Sequence, residues 1–355
     1  MTTLIMEKSE PVWQQIYNDL SVEVKNFDFG QRFYTLAEIC RKYEVSGITA
    51  RRVLSEMEQK GLVEKIRRRG TIAKNCSEKL SIKFILPAGM PATAFSTEPV
   101  LFRIYNGVAA ETAKMKISLE TISENYFSSL SLNSRQKIGF LIFQQTCDAN
   151  FPTFLKDNAL PFVFLLLPAK GEFASVRVNI KRGGYLAAKH LASLGHQRIG
   201  LITGPISLPF FLPRFKGYIK ALKEEKIKFD WLRVKETSGK DPDEDEIALK
   251  ELLDLPSPPT AIVAGNDYRA MHILDYCRKN NIRIPDDLSI IGFDNISEAA
   301  ITQPPLTTVD IHLKKVGAEG LNLLLRMMTE KGKKNWKDIV IKPDLVVRES
   351  TKEVM

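Results

Sequence analysis

After residue 80, short apolar runs alternate with amphipathic helical segments through the rest of the 355-residue chain. The apolar runs occupy residues 82–86, 138–143, 162–167, 199–203, 261–264 and 289–293, and helical patterns include 183–194, 214–226 and 267–280. Such alternation is typical of α/β folds in which a mostly parallel sheet has helices on both faces. The region is too long for one sheet of about six strands. The pattern therefore predicts two similar doubly wound lobes.

The first 75 residues have a different pattern, in which helices precede a short hairpin. Helical periodicity begins at Pro11, Thr35 can cap a second helix, and Ser46 can cap a third that ends at Gly61. The third helix should direct four apolar side chains inward, namely Ile48, Val53, Leu54 and Met57. We therefore predict a compact unit of three helices.

A β-hairpin is predicted directly after the third helix. Residues 62–66 and 71–73 are strand-like, and the basic turn Arg67 to Gly70 lies between them. Helices followed by such a hairpin make a winged helix-turn-helix. The predicted organisation is a winged helix-turn-helix domain over residues 1–75, a linker over 76–80, and a two-lobed α/β domain over 81–355.

The positive charge of the chain is concentrated near its N-terminus. The formal net charge is +9, and ten Lys or Arg residues against four Asp or Glu residues fall between Arg41 and Asn75. A local excess of this kind favours a polyanionic partner. The four cysteines form no CxxC pair, and no apolar run approaches the roughly 18 residues of a membrane-spanning helix. We expect no metal site, no membrane partner and a cytoplasmic protein.

The third helix and the hairpin carry side chains suited to duplex DNA. A helix fits the major groove, where arginine can pair bidentately with guanine, and a basic hairpin turn can reach the backbone or the minor groove. The candidate DNA-binding residues are Thr35, Ser46, Thr49, Arg51, Arg52, Arg68, Arg69 and Gly70. The alternative is that these charges form an ordinary solvated face. The combination of helix, turn, helix and basic hairpin favours DNA binding.

This N-terminal region resembles the winged helix-turn-helix of GntR-type regulators. The resemblance rests on the runs Val45 to Leu54, Leu62 to Glu64 and Arg69 to Thr71, within roughly residues 11–75. It implies that Ser46, Thr49, Arg51, Arg69 and Gly70 approach DNA. The chain departs from the family pattern at Ala37 and Gly47, where arginine is frequent, so the operator or its base contacts would differ.

Polar side chains follow three of the predicted parallel strands. Ligands of such sheets bind beyond the carboxyl ends of the strands. The candidate ligand-binding residues are Arg214, Asn266 and Asp294, with Phe210 and Phe211 available to stack on a sugar ring. Each has a plain alternative, since Asn266 and Asp294 can cap helices, Arg214 can be solvated, and the aromatic pair can be loop packing.

The region from about residue 80 to 350 resembles the effector domain of LacI/GalR regulators. The matching motifs include Gly183 to Leu191, Arg214 to Tyr218, Asn266-Asp267, Ile284 to Asp294 and Pro305 to Val309. The resemblance implies two lobes similar to periplasmic binding proteins, a monosaccharide between them and dimerisation through this domain. Asn179 and the apolar run 164–167 replace acidic residues that are common in relatives, which favours a pentose or deoxyhexose.

Common catalytic motifs are absent from the sequence. It contains no phosphate-binding Gly-x-x-x-x-Gly-Lys-Ser/Thr loop, strand-borne GxGxxG, HExxH or GxSxG. The acidic run 241–246 is expected to be the exposed first turn of a helix. We therefore expect no enzymatic activity and no cofactor.

Together these expectations describe a sequence-specific DNA-binding transcriptional regulator. We predict a repressor that binds an inverted-repeat operator as a homodimer, with an affinity controlled by a small sugar. A sugar phosphate or a purine stays open as the effector, and so does the direction of the response. A sugar-binding protein without a role on DNA is an alternative of another class, but it leaves the basic hairpin unexplained.

Overall fold

The computed structural model describes residues 10–27, 31–66, 70–74, 80–87, 90, 99–123, 137–143, 150–166, 173–239, 241–329, 336 and 338–354. Contacts between residues divide the chain into two compact units, one built on residues up to Leu80 and the other built mainly on residues from Ser81 onward. The predicted basic turn, Arg67 to Arg69, and residues 76–79 of the predicted linker lie outside the described residues.

The N-terminal unit combines helices with an antiparallel hairpin. Its elements are α1 (Val12–Glu23), a 3₁₀ turn (Val24–Asn26), α2 (Leu36–Tyr43), α3 (Gly47–Gln59), β1 (Val63–Ile66) and β2 (Gly70–Ala73). Strands β1 and β2 pair with Val63 opposite Ala73. The Phe33 amide donates to Thr71 O, and the Ala73 amide donates to Gln31 O, so an extended segment adds to the other edge of β2.

Both predicted helix caps are present in this unit. The Thr35 side chain accepts from the Glu38 amide in a reciprocal capping box, and the Ser46 side chain accepts from the Thr49 amide. These bonds satisfy amides that a helix start otherwise leaves unpaired. The predicted starts of α2 and α3 are therefore confirmed.

The core of the N-terminal unit contradicts one predicted position. Leu20, Ile39, Val53 and Met57 are fully buried, but Ile48 is 82% exposed. Its predicted inward position was wrong because α3 is packed through Ala50 and the 53–54–57 stripe, which places residue 48 on the opposite face.

The described part of the second unit contains two sheets with the same strand order. In lobe 1 the strands are β3 (Ser81–Leu86), β4 (Ser118–Ser123), β5 (Ile138–Phe143), β6 (Phe162–Leu166), β7 (Ser175–Val178) and β13 (Ile339–Ile341). They lie in the order β13-β7-β6-β5-β3-β4, and all pairs are parallel. The helices of this lobe are α4 (Pro99–Met115), α5 (Asn150–Asp157) and α10 (Leu313–Thr329).

Lobe 2 repeats this arrangement with one antiparallel edge. Its strands are β8 (Ile199–Thr203), β9 (Val234–Glu236), β10 (Ala261–Ala264), β11 (Ser289–Phe293), β12 (Thr307–Asp310) and β14 (Asp344–Val346), in the order β14-β12-β11-β10-β8-β9. Its helices are α6 (Ile180–Ser193), α7 (Phe211–Glu224), α8 (Pro242–Leu253) and α9 (Asp267–Lys279), with 3₁₀ turns at Trp231–Arg233 and Ser297–Ala300. The predicted two-lobed α/β fold is confirmed.

Glycines bring one pair of helices close together in each lobe. A Cβ added to Gly217 of α7 would lie 2.0 Å from Lys181 O of α6, and one added to Gly317 of α10 would lie 2.0 Å from Ile104 O of α4. No side chain fits at such distances, so these positions require glycine. In lobe 2 this close approach holds α7 firmly against α6, which matters because α7 carries a site residue.

Within the described residues, the chain passes between the lobes next to Asn179, His312 and Ile341. The Asn179 amide donates to Ile341 O at 3.0 Å, and His312 Nε2 lies 2.8 Å from Asp344 Oδ2. These bonds tie the crossover segments to one another. Among the described helices, none is long and apolar enough to cross a membrane.

Candidate functional site

The exposed face of α3 is the candidate nucleic-acid interface. Ile48, Arg51, Arg52 and Ser55 are all exposed along it. These positions are three or four residues apart, so their side chains share one face of the helix. The face begins at the N-terminus of α3, where partial positive charge favours anions.

The two arginines of this face have different surroundings. The Arg52 guanidinium carbon lies 4.1 Å from the centre of the Trp13 ring, so α1 holds that side chain in place. No described residue pairs with the Arg51 side chain. Arg51 can therefore reach into a groove, whereas Arg52 is held at the edge of the face.

Another basic side chain of this unit, Lys42, is already neutralised by an acidic neighbour. Lys42 Nζ lies 2.5 Å from Glu23 Oε2 and 3.3 Å from the Tyr34 hydroxyl. Burial by itself lowers the pKa of Lys42, but these hydrogen bonds together outweigh burial and raise that pKa. Burial and a hydrogen bond to Asp19 raise the pKa of Tyr43 to about 12. The positive charge available to a polyanion is therefore smaller than the sequence count indicates.

The remaining candidate DNA-binding residues are placed as follows. The Thr35 hydroxyl is engaged by Glu38 in the cap of α2, and Ser46 Oγ lies 3.1 Å from Thr49 Oγ1 at the start of α3. Gly70 is exposed and has a φ of +81°, a backbone conformation that favours glycine. Arg68 and Arg69 lie outside the described residues.

The candidate ligand site lies at the carboxyl edge of the lobe 2 sheet. Its first five strands have the doubly wound order 2-1-3-4-5 and are all parallel, and the order in which strands are added to the sheet reverses between β8 and β10. A crevice forms where the order reverses, and ligands bind there. Arg214 follows β8, Asp267 follows β10 and Asp294 follows β11, so three charged side chains converge at this edge.

Arg214 is buried with most of its hydrogen-bonding capacity unused. The residue is 1% exposed, and its Nη2 lies 3.7 Å from Asp294 Oδ1. Its guanidinium carbon lies 3.5 Å from the centre of the Phe293 ring, 4.8 Å from that of Phe210 and 5.4 Å from that of Phe211. Burial lowers the pKa of Arg214 to about 10. Among the described residues, none forms a hydrogen bond with its Nε, Nη1 or Nη2.

Asp294 is the acidic counterpart of this arginine. It is 5% exposed, and its Oδ1 has no hydrogen-bond donor within the described part of the chain. Burial raises its pKa to about 6, against the attraction of Arg214. Its φ of +109° is a costly conformation for a residue with a side chain, of the type found at binding sites.

The unused groups define which ligand chemistry would fit. Buried polar atoms are nearly always hydrogen-bonded, and each one left unpaired costs about 1–3 kcal/mol. Arg214 offers donors and Asp294 offers an acceptor, with only a few ångströms between them. A ligand whose neighbouring groups both accept and donate, such as vicinal hydroxyls, would satisfy both side chains at once.

Asp267 follows the same strand as Asn266 in the sequence but was not among the predicted ligand-binding residues, and the structure buries Asp267 while Asn266 is half-buried. The Asn266 side chain caps α9 by accepting from the Arg269 amide at 3.0 Å. The Asp267 carboxylate is fully buried and accepts from the Thr308 hydroxyl at 2.5 Å and the Ile296 amide at 2.8 Å. Burial and the neighbouring Asp294 raise its pKa to about 7. The adjacent Asn266-Asp267 pair indicated a site after this strand, but the sequence did not show which of the two side chains faces inward.

The aromatic pair is placed beside Arg214. The rings of Phe210 and Phe211 lie 5.9 Å apart with nearly perpendicular planes. A Cβ added to Gly204 would lie 2.3 Å from the Phe211 ring, so this ring covers the end of β8. The pair therefore flanks the guanidinium.

A second buried network lies behind this site. Asp245 is fully buried, accepts from the Thr237 hydroxyl at 2.7 Å and lies 2.8 Å from His272 Nδ1. Arg269 Nε donates to the same Thr237 hydroxyl at 2.9 Å. The acidic run 241–246 was expected to be exposed, and for Asp245 this was wrong because its position on α8 faces α9. No pattern in the sequence separates Asp245 from its acidic neighbours.

One residue of lobe 1 reaches the ligand site. Arg103 of α4 donates through Nη1 to the backbone carbonyls of Asn295 and Asp294, the latter at 3.4 Å. The loop that carries Asp294 is therefore tied to both lobes. Within the described ranges, no group of three or more His, Cys, Asp or Glu side chains is arranged to hold a metal ion.

Comparisons with known proteins agree with this architecture. Residues 188–351 match the family described as periplasmic binding protein-like domain. The second unit has a two-lobed periplasmic-binding-protein-like fold. A LacI family transcriptional regulator from Enterococcus faecium, solved with bound ribose, superposes with a TM-score of 0.66 at 28% identity, over 78% of this chain and all of that one.

Two repressors show similarity in sequence. The HTH-type transcriptional repressor PurR of Haemophilus influenzae is 34% identical over 175 residues, which are 49% of this chain and 52% of that protein. The chain thus covers about half the length of this relative. The arabinose metabolism transcriptional repressor of Geobacillus stearothermophilus is 28% identical over 91% of this chain and 92% of that protein. The part of this chain outside that alignment is shorter than the N-terminal unit. The alignment therefore extends into the N-terminal unit.

These comparisons support similarity to LacI-family transcriptional regulators with a periplasmic-binding-protein-like effector domain. They do not support the GntR type of the N-terminal unit.

Proposed function

We propose that this protein is a transcriptional repressor whose affinity for operator DNA is controlled by a neutral monosaccharide bound between the lobes of its second unit. The observation that carries the proposal is the buried Arg214 and Asp294 pair, in which the three guanidinium nitrogens and Asp294 Oδ1 lack hydrogen-bond partners in the described structure. The regulators to which the chain is similar support a role in transcription.

The charge balance of the site favours a neutral ligand over a phosphate. Asp294 Oδ1 is unpaired 3.7 Å from Arg214, and the Asp267 carboxyl group is buried nearby, so a phosphate group would approach a buried carboxylate. Hydroxyl groups avoid that repulsion. Ribose in the related Enterococcus structure supports a pentose, as does the apolar run 164–167 of the sequence.

For the N-terminal unit we propose a DNA-binding domain of the GntR winged-helix type. Its support is the hairpin of β1 and β2 after α3, together with the Val45 to Leu54 motif. Arg51 would contact a guanine, while Ser46 and Thr49 lie at the end of α3 that favours phosphate. The residues Thr35, Arg52, Arg68, Arg69 and Gly70 would approach the flanking backbone.

The proposed mechanism couples the two sites through lobe closure. Sugar binding to Arg214 and Asp294 reorganises the loop that Arg103 ties to lobe 1, and this biases the lobes toward a closed state. In a cytoplasmic homodimer on an inverted repeat, closure would change the separation of the DNA-binding domains. Ligand and DNA then disfavour each other by a reciprocal coupling energy of about 1–3 kcal/mol.

The test uses the full chain with two readouts. Thermal shift is measured against monosaccharides, sugar phosphates and nucleobases, since a ligand specific for the folded state raises the melting temperature. Duplexes selected from a random pool are then titrated with and without the hit. We expect a dose-dependent shift with one pentose or deoxyhexose, no catalytic turnover of it, and weaker DNA binding in its presence.

Each contrary outcome contradicts a different part of the proposal. A hit among phosphates or nucleobases alone would contradict the neutral-sugar effector but leave DNA binding in place. A sugar hit without any selected duplex would indicate a sugar-binding protein with no role on DNA. Tighter DNA binding with sugar would make the ligand a corepressor.

A further inference from the structure

Ile48 is an aliphatic side chain displayed to solvent in the first turn of α3. At 82% exposed, it is the most exposed large apolar side chain in the described part of the chain. Leaving so much apolar surface in water gains nothing for the fold. The neighbouring residue shows where the packing lies, because a Cβ added to Gly47 would be 3.7 Å from Leu36 Cδ2 of α2. Ile48 points away from that contact.

The surroundings of Ile48 are polar and basic. Arg51 and Arg52 lie three and four positions later on the same exposed face, followed by Ser55. This face does not suit a broad apolar partner, because it has one exposed aliphatic group with two guanidinium groups beside it. The face instead suits a polyanion that presents an isolated apolar group next to hydrogen-bond acceptors.

Duplex DNA has this combination in its major groove. Thymine projects a C5 methyl group there, and guanine presents its O6 and N7 acceptors to arginine. Positions i and i+3 of a helix have Cβ atoms roughly 5–6 Å apart. This distance is between one and two times the rise of about 3.4 Å per base pair of duplex DNA. One helix turn can therefore read two base pairs that are one or two steps apart.

We propose that Ile48 is a specificity-determining residue that contacts the methyl group of a thymine located one or two base pairs from the guanine read by Arg51. This inference rests on the proposed DNA-binding function. The proposal gives Ile48 a role in reading a base. Ile48 is the only exposed aliphatic residue on the described α3 face, and arginine and hydroxyl side chains flank it.

The experiment removes the methyl group from the DNA alone. Duplexes are first selected from a random pool with the full-length protein, and each thymine of the consensus is then replaced by uracil, which lacks only the methyl group. Fluorescence anisotropy titrations compare the wild-type protein with Ile48→Ala. Val22→Ala is the matched control, because Val22 is also an exposed aliphatic residue, 64% exposed, on α1 of the same unit.

The expected result is a position-specific interaction between residue and methyl group. For the wild type and Val22→Ala, uracil at one position weakens binding about three- to fourfold, the effect of one buried methyl group. For Ile48→Ala, thymine and uracil at that position bind equally. Since Ile48 is exposed, the variant keeps the melting temperature of the wild type.

Two outcomes overturn the inference in distinguishable ways. If a duplex is selected but every uracil substitution affects wild type and Ile48→Ala alike, Ile48 does not read thymine, and the DNA-binding function stands. If no duplex is enriched by the full chain at any salt concentration tested, the DNA-binding function fails and the inference fails with it.

Discussion

Arg51 and Arg214 are both proposed to bind a ligand, but their environments are opposite. Arg51 is exposed on α3, and no described side chain pairs with it, whereas Arg214 is 1% exposed and surrounded by Phe210, Phe211 and Phe293. A polyanion attracts an exposed guanidinium over long range and tolerates water at the interface. A neutral sugar provides no such attraction, so its binding depends on buried donors that water no longer satisfies.

The two sites also differ in how each charge is balanced. In the N-terminal unit Lys42 is paired with Glu23 at hydrogen-bond distance, and Arg51 is left over for a partner. In the second unit Asp294 lies 3.7 Å from Arg214, too far for a hydrogen bond. In the N-terminal unit, therefore, the charge of Arg51 is not neutralised by a described residue. In the second unit, the charges of Arg214 and Asp294 lie close together, but their hydrogen-bonding groups are unpaired. Variants that break one arrangement should leave the other intact.

The largest expected effect is the loss of sugar binding in Asp294→Asn. The substitution removes a charged acceptor while keeping its shape, and charged hydrogen bonds contribute about 1.5–3 kcal/mol each. If the carboxylate accepts from two sugar hydroxyls, the variant loses one of these hydrogen bonds, because one oxygen becomes an NH2 donor, and weakens the other, because the remaining amide oxygen is neutral. Together these changes should reduce affinity more than about 100-fold, as measured by calorimetric titration. Asp286→Asn is the control, since Asp286 lies at the surface of the same lobe and pairs with Lys352. Unchanged sugar affinity in Asp294→Asn would remove this residue from the site.

The next effect is on DNA. Arg51→Ala should weaken binding to a selected duplex about 10- to 100-fold and relax the preference for one guanine, because the variant cannot form the bidentate hydrogen bonds to that base. Sugar affinity should stay at the wild-type value. Gel retardation and calorimetry together check both statements. A variant with full operator affinity would show that α3 does not enter the groove through this face.

Sugar binding should also depend on pH, because it uses the Asp294 carboxylate. The proposed DNA contacts of α3 involve no carboxylate and should lack this dependence. Because the pKa of Asp294 is raised to about 6, its acceptor form is lost as pH falls below that value. Sugar affinity should be nearly constant from pH 8 to 7 and about tenfold weaker at pH 5. Titration of Asp294 does not itself destabilise the fold in acid, since a carboxyl group with a raised pKa stabilises the fold at low pH and loses that contribution as pH rises through about 6. Constant affinity down to pH 5 would contradict the assignment of Asp294 as acceptor.

The smallest effect separates the two arginines of α3. In Trp13→Leu the apolar packing of residue 13 is largely kept, but the ring that orients Arg52 is absent. An exposed cation–π interaction contributes about 0.5–1 kcal/mol, so operator affinity should fall about two- to fivefold. If Arg52→Ala and Trp13→Leu have independent effects in the double variant, the ring does not act through Arg52.

The sequence alone determined the class of fold and the location of both candidate sites. The alternation of strands and helices after residue 80, the capping residues Thr35 and Ser46, and the charged residues after β8 and β11 are local signals. Such signals are readable because helix starts and buried parallel strands each require particular residues at fixed spacing. They led to Arg214 and Asp294 without any knowledge of their neighbours in space.

Only the tertiary structure decided which side chains of those segments face inward and which stay in water. Ile48 and Asp245 were both misplaced from sequence, because a single position on a helix is oriented by what the rest of the helix packs against. The burial of Asp267, the reach of Arg103 from lobe 1 and the unpaired atoms of Arg214 depend on segments far apart in the chain. Hydrogen-bond satisfaction is a property of three-dimensional neighbours, so no local pattern encodes it.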